Sequence, residues 1–395
     1  MDTIDRIDRM DRRDFIRNSV MGASLSLLSS TPLTAFAGES GASPGPTGKI
    51  ITRRLGATGI ELPVVSMGVM RADTSALVRG ALASGMLHLD TAHSYQKGNN
   101  ETMLGEVLRD YKRDSFVIST KVPPLGKDDF METLDVSLKR LRMEFVDILY
   151  VHGLSSADEV LSPSTLEAVT AARKSGKTRH VGVSTHRNEP EVIRAAIRSG
   201  VFEVVLTSIN FKQDHYAEVK KAIAEAAAAG IGIVAMKTMA GAFHDKARTK
   251  PIDCKAALKW ALQDPNVTTA IPGITSFDQL TENASVNLDL TMTEAEKSAL
   301  VSGKSEGGLY CPGCSGCTER CAKNLPVPDI MRAYMYTYGY RDPRIAQDLL
   351  AGLGVGGNPC GDCEECTVGC PRGFDVADRV RDIARLTSVP AEFFT

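Results

Sequence analysis

Eight of the nine cysteines fall between Cys311 and Cys370, in two runs of one pattern. Cys311-x2-Cys314-x2-Cys317-x3-Cys321 is followed by Cys360-x2-Cys363-x2-Cys366-x3-Cys370-Pro371. Thiolates at these intervals can wrap three corners of an iron-sulfur cube from one loop, and the fourth cysteine, at the start of the next helix, often reaches the other cluster. The repeat therefore predicts two 4Fe-4S clusters. Zinc is the structural alternative, although zinc sites rarely use four closely spaced cysteines twice over. Disulfides are the other, and C-x2-C spacing would strain them. Ala322 stands where Pro371 stands in the second run. The ninth cysteine, Cys254, sits alone among helix-forming residues.

A second set of reactive types lies upstream. Asp90, Lys121 and His152 each end a short β-branched or Leu-rich run, and Tyr95 follows Asp90 by five residues. A tyrosine is a poor acid at neutral pH, but a neighbouring ammonium would lower its pKa and a carboxylate would hold the ammonium in place. His152 could orient a carbonyl oxygen through its ring N–H or relay the proton. Taken singly, each residue has a plain structural role as a cap, a solvated strand end or a satisfied core histidine. Four of them on one rim make a proton-donating site.

The elements that would position this rim alternate in type. Strand-like runs occur at Val64–Met70, Leu87–Asp90, Phe116–Lys121, Val146–Val151, Thr178–Ser184, Val204–Asn210, Ile231–Lys237 and Thr268–Gly273. Helix-period segments separate them, such as Phe130–Leu141 and Tyr216–Ala229, the latter stopped by Gly230. Eight βα units predict an α/β fold of the (β/α)8 TIM barrel type, whose chemistry sits at the C-terminal ends of the strands; a doubly wound sheet is the alternative. Ile51–Leu55 and Ile60–Pro63 flank Gly56-Ala57-Thr58-Gly59 and predict a hairpin over the N-terminal mouth of the barrel. Gly352-x-Gly354-x-x-Gly357 matches a dinucleotide fingerprint but follows a helical stretch and runs into Asn358-Pro359, so it reads as a turn.

The residues also carry a family resemblance. Leu55-Gly-x-Thr58-Gly, Asp90-Thr-Ala-x-x-Tyr95, Gly98-x-x-Glu101-x-x-Leu104-Gly105, Ser119-Thr-Lys121, Asp147-x-Leu149-x-x-His152, Gly182-Val-Ser184 and Ile271-Pro-Gly273 with Gln279-x-x-Glu282-Asn283 resemble the aldo-keto reductases over about residues 50 to 300. The resemblance implies an NAD(P)-dependent oxidoreductase that interconverts a small carbonyl and an alcohol. Tyr95 would be the general acid, Lys121 and Asp90 would tune it, and His152 would place the carbonyl. Ser184 and Asn210 would hold the nicotinamide amide. Lys237, Gly241, Gly273, Ser276 and Gln279 would line the phosphates, and Glu282 and Asn283 the adenine. Two departures stand out. Leu206-Thr-Ser-Ile-Asn210 lacks the glutamine commonly found near the end of the sixth strand, and no Lys or Arg lies between Gly273 and Gln279 to meet a 2′-phosphate. NADP is expected on the resemblance, with NAD second.

Length and charge bound the rest. The 395 residues, 43% apolar and 24% charged, exclude a disordered chain and a polytopic membrane protein. Forty-six basic against 48 acidic residues give no support for a nucleic-acid partner recognised through phosphates. Arg12-Arg13, a Ser-rich apolar stretch from Ser19 and Ala35-Phe36-Ala37 predict a twin-arginine signal peptide over residues 1–37, hence a folded, periplasmic protein with no membrane span in the mature chain. An amphipathic N-terminal helix is the alternative. Residues 38–50 read as a linker, 51–303 as the barrel and 304–395 as a helical ferredoxin-like domain that serves a redox partner protein. A radical S-adenosylmethionine enzyme would need C-x3-C-x2-C, which is absent. A non-catalytic electron-transfer or cofactor-binding subunit on the same barrel is the rival of a different class.

Overall fold

The computed structural model describes residues 48–245, 247–305, 309–317, 320–361, 363 and 366–394. The expectations for a signal peptide over 1–37 and for most of the linker lie outside the described residues. The described residues all belong to one compact unit.

A hairpin opens the described chain, β1 (Thr52–Arg54) and β2 (Glu61–Pro63), antiparallel with Arg53 opposite Leu62. Eight parallel strands follow: β3 (Met67–Gly68), β4 (His88–Asp90), β5 (Val117–Val122), β6 (Val146–Val151), β7 (Thr178–Thr185), β8 (Val204–Ser208), β9 (Gly232–Met236) and β10 (Val267–Ala270). They pair in chain order, and the bridges Val65↔Ala270 and Gly68↔Gly273 join β3 to β10, which makes the expected barrel. The regular ladder of β3 is shorter than the apolar run Val64–Met70: ahead of it Val65 makes only an isolated bridge to β10 and gives its N–H to Asn287 Oδ1. Helices between the strands cover the outside. The helix Lys127–Leu141 shows how: Phe130, Leu134, Leu138 and Leu141 repeat at helical spacing and are buried against the sheet.

The hairpin closes one mouth. Leu55 and Leu62 join Ile148, Tyr150, Val204, Leu206 and Val234 in a core inside the barrel. Three donated hydrogen bonds from the Arg53 guanidinium to the carbonyls of Leu262, Asp264 and Val267 fasten it there. Burial of large aliphatic side chains at about 1.5–3 kcal/mol each makes this plug a substantial part of barrel stability.

Beyond the barrel the described residues contain helices and no strand. Val327–Tyr338 and Pro343–Gly352 form a helix pair, and Val376–Ala384 packs on the first. Asp342 and Asp375 cap the second and third, accepting from the N–H of Ile345 and Asp378. Ile330, Met331, Tyr334, Leu350, Val380 and Ile383 build a separate core, against which Met70 of the barrel also packs. Gly354, with φ +66, ends the Pro343–Gly352 helix in a turn, so the glycine-rich stretch there is not a dinucleotide loop.

Candidate active site

Strand register brings the reactive groups together. Asp90 of β4 lies opposite Ser119 of β5, so Lys121, two residues on and on the same face, rises directly above the carboxylate. Its Nζ donates to Asp90 Oδ1 and, at 2.6 Å, to the carbonyl of Thr91. Both side chains of the pair are 2% exposed. The second Asp90 oxygen accepts from Ser119 Oγ at 2.7 Å, and His88 Nε2 stands 3.0 Å from the same hydroxyl. His88 is fully buried, which pushes its pKa down to about 4, so it backs the pair as a neutral ring. Sequence reasoning missed His88 and gave Ser119 no role beyond its place in a motif, although each sits two residues before Asp90 or Lys121 and therefore on the same strand face.

Tyr95 comes from the turn after β4. Gln96, Lys97 and Gly98 follow it with φ of 51°, 56° and 91°, a left-handed run that non-glycine residues seldom adopt. Gln96 Nε2 ties it to the carbonyls of Met70 and Ala72. A Cβ at Gly98 would stand 2.2 Å from Arg140 Cζ. Arg140 Nη1 in turn bonds the carbonyl of His93 at 2.9 Å and the buried Glu101 at 3.2 Å, and Glu101 accepts from Thr120 Oγ1. These contacts give a physical reason for glycine at 98 and glutamate at 101. They hold the tyrosine turn on the rim, where strained backbone is a feature of built sites.

The result is a reactive floor. The Lys121 ammonium lies 5.0 Å from the Tyr95 ring centre, and the His152 ring is 6.0 Å from Tyr95, edge to face. Enclosure and the Asp90 carboxylate hold Tyr95 well above the usual phenol range. This corrects the expectation that the ammonium would lower it: Lys121 is matched by Asp90, and desolvation dominates. Tyr95 is thus kept as a neutral phenol, able to donate a proton. Burial, with Lys121 and Arg332 nearby, pushes His152 down to about 3, so it packs beside Tyr95 uncharged.

Asp90, Tyr95 and Lys121 open into a cavity of about 480 Å³, in the size range of ligand pockets. Ser184, Asn210, Lys237, Gly241, Gly273, Gln279, Glu282 and Asn283 line it too. His152 and Ser276 are not among the lining residues. Ser276 instead caps the helix Phe277–Val286, its Oγ accepting from the N–H of Gln279. In the loop after β9, Lys237, Ala240, Gly241 and Ala242 all have positive φ on the cavity wall. Ser208 Oγ, Thr238 Oγ1 and Asn283 Oδ1 are buried there without a hydrogen-bond partner among the described residues.

The roof comes from the C-terminal segment, in which sequence reasoning singled out no residue for the site beyond the cysteines. Cys311, Asp329, Arg332, Tyr336, Tyr340 and Arg372 line the same cavity. Lys237 Nζ sits 4.8 Å from the Tyr336 ring centre, and Arg71 stacks over Tyr340 at 5.1 Å. Burial alone would raise Tyr336, but Lys237 and Arg332 overcome it and leave its pKa lowered. Ion pairs Arg187–Asp329, at 2.7 Å, and Arg372–Asp214 fasten roof to barrel.

A family model described as the aldo/keto reductase family matches residues 59–256, half of the chain. The chain belongs to the aldo/keto reductase family. It is an oxidoreductase enzyme. Methylglyoxal reductase DkgB of Salmonella typhi is 27% identical over 269 residues, covering 64% of this chain and 96% of that protein. L-galactose dehydrogenase of Arabidopsis thaliana is 23% identical over 288 residues, covering 61% and 89%. Aldo-keto reductase AKR11C1 from Bacillus halodurans shares the fold with a TM-score of 0.55 at 21% identity, over 65% of this chain and 96% of that one. An aldo-keto reductase from Klebsiella pneumoniae in complex with NADPH gives 0.53 at 21% identity, over 65% and 95%. About a third of the present chain lies outside each of these matches.

Among the described residues, no three His, Cys, Asp or Glu side chains form a closed metal-binding group. The cysteines are nevertheless sorted. Cys321, Cys360, Cys363 and Cys366 line one small cavity. Cys311, which burial pushes up to about 12, feels Cys314, Cys317 and Cys370. Each fourth cysteine thus keeps company with the other run. Gly316 packs on Pro371, a Cβ there standing 3.1 Å from the proline ring. Backbone N–H groups of Gly313 and Arg372 donate to Cys311 Sγ and Cys370 Sγ at 3.4 Å.

Proposed function

We propose that this oxidoreductase interconverts a carbonyl and an alcohol with NADP(H), NAD(H) being the second choice, and that its eight clustered cysteines hold two 4Fe-4S clusters. The observation that carries the first part is the buried Lys121–Asp90 pair beside Tyr95 on the wall of a long cavity. The partnerless oxygens of Ser208, Thr238 and Asn283, with Lys237 on the positive-φ loop, suit a polar, anionic, extended ligand. The names of the relatives, methylglyoxal reductase among them, point the same way. NADP(H), when bound, supplies or accepts the hydride. The chain does the rest: Tyr95 donates the proton to the carbonyl oxygen, Lys121 and Asp90 keep one net-neutral environment beneath it, and neutral His152 orients the oxygen. Ser184 and Asn210 face the nicotinamide end of the cavity in this reading, and Glu282 and Asn283 the adenine end.

For the clusters, the donor chemistry fits: two sets of four cysteines, {Cys311, Cys314, Cys317, Cys370} and {Cys321, Cys360, Cys363, Cys366}, with N–H donors on two of the sulfurs. The clusters would supply one-electron transfer to or from a redox partner protein. Residues 1–37 are read as a twin-arginine signal, which suits a protein that acquires cofactors before export to the periplasm.

Two assays test these parts. NADPH oxidation with a panel of aldehydes and ketones is expected to yield the alcohols; a chain that binds NADPH and reduces none of them would be an electron-transfer subunit. Anaerobically purified protein is expected to carry about eight irons and eight acid-labile sulfides per chain. Stoichiometric zinc, or one cluster, would refute the two-cluster assignment.

A further inference from the structure

The roof brings charge to the reaction centre. Arg332, from the helix Val327–Tyr338, lines the cavity with Tyr95 and Lys121 and has a side chain only 17% exposed. Its Nη1 lies 2.9 Å from Asp329 Oδ1, while Asp329 Oδ2 lies 2.7 Å from Arg187 Nη1. One carboxylate between two guanidiniums leaves a net positive charge in a partly desolvated wall, a state that an anionic ligand would neutralise. Lys121 does not add to this excess, since Asp90 matches it. A second polar group waits beside it: His186 lines the cavity with a buried Nδ1 that has no hydrogen-bond partner among the described residues.

Geometry ties this pair to the reactive floor: Arg332 shares Asp329 with Arg187, the residue after His186, and the His186 ring lies 6.5 Å from that of His152, itself 6.0 Å from Tyr95. Arg332 therefore stands at the end of the cavity where the carbonyl would lie. We propose that Arg332 is a specificity-determining residue that binds a carboxylate carried next to the reacting carbonyl, so that the substrates are 2-oxo acids and the products 2-hydroxy acids. The planar fork of a guanidinium matches a carboxylate, and a guanidinium on the Tyr95 side of the cavity would set the anion on the carbon adjoining the carbonyl. In reduction, C2 gains the hydride of NADPH, which leaves as NADP+, the carbonyl oxygen gains the Tyr95 proton, and the carboxylate is unchanged. This inference rests on the carbonyl–alcohol reading above.

The test pairs glyoxylate with glyoxal, which differ in the carboxylate, and uses D-glyceraldehyde 3-phosphate as the phosphate arm. The holoenzyme is expected to show a kcat/KM for glyoxylate at least about tenfold above that for glyoxal. Arg332→Gln is expected to lower this ratio about 10- to 100-fold through KM, the loss of one charge-assisted pair. Arg332→Lys, which keeps the charge and the fold but not the fork, is expected to restore part of it. In calorimetry, oxamate is expected to bind the NADP-loaded protein and to bind Arg332→Gln at least about tenfold more weakly. Equal losses for glyoxal and glyoxylate, a loss confined to kcat, an Arg332-dependent preference for the phosphate, or oxamate binding indifferent to Arg332 would each overturn the proposal. Failure to reduce any carbonyl, with oxamate binding still dependent on Arg332, would refute the carbonyl–alcohol reading and keep the carboxylate site.

Discussion

The floor and the roof of the cavity are built by different means. On the floor, Asp90, Ser119 and Lys121 are placed by ladder register, two residues apart on neighbouring parallel strands, and every charge has a buried partner. On the roof, Asp329, Arg332 and Tyr336 project from one helix held down by ion pairs and ring contacts, with more cation than anion. Rigid strands suit groups whose spacing decides a proton transfer, and a docked helix suits groups that choose what enters. Changes to the floor should therefore act on turnover, and changes to the roof on substrate choice.

The sharpest way to break this contrast is Tyr95→Phe, which removes the proposed proton donor and little else. Turnover is expected to fall by at least about 10²-fold while NADPH still binds, as fluorescence titration would show. A variant keeping most of its activity would place the donor elsewhere. Lys121→Met comes next. It strips the positive charge from beside Asp90, leaves a buried carboxylate unpaired, and is expected to cost about 3–5 kcal/mol of stability on chemical denaturation as well as activity. An unchanged midpoint would mean that the pair is not buried as described.

Acid should sharpen the comparison further. His88, near 4, and His152, near 3, are held below the ordinary histidine value by burial. The unfolded chain binds protons first as pH falls, so stability is full above about 6.5 and declines below it. About 2 kcal/mol is expected to be lost by pH 5 from His88, which is fully buried, and less from the partly exposed His152, seen as a falling Tm. Because His152 stays neutral, the reductive kcat/KM should show no acid limb near pH 6 to 7. Such a limb would mean that a charged histidine works in the site.

Much of the floor was legible in the sequence because it depends on local order. Val146–Val151 was expected as a strand and is one, and Asp90, Lys121 and His152 were found by asking what ends each run. His88 and Ser119 followed the same period of two and could have been read. Tyr95 was placed correctly on the rim, but its pKa direction depends on how far Asp90 cancels Lys121, which spacing cannot show. The roof was not legible. Arg332 and Asp329 look like ordinary residues in the first turns of an amphipathic helix, and only the docking of that helix over the barrel turns them toward Tyr95. Likewise the two cysteine runs announced themselves, whereas the company kept by Cys370 and Cys321 emerged only from the packing of one loop on the other.

Hydride transfer across the cavity is the claim on which floor and roof both depend. It is tested most directly with NADPH deuterated at C4 of the nicotinamide, a carbonyl substrate in ordinary water, and mass and proton spectra of the product. Transfer from one face of the ring to the carbon above Tyr95 predicts an alcohol with one deuterium on the carbinol carbon and none on oxygen after exchange. An alcohol with no deuterium at that carbon for either C4 label would show that its hydrogen arrives from solvent, and would contradict the assignment.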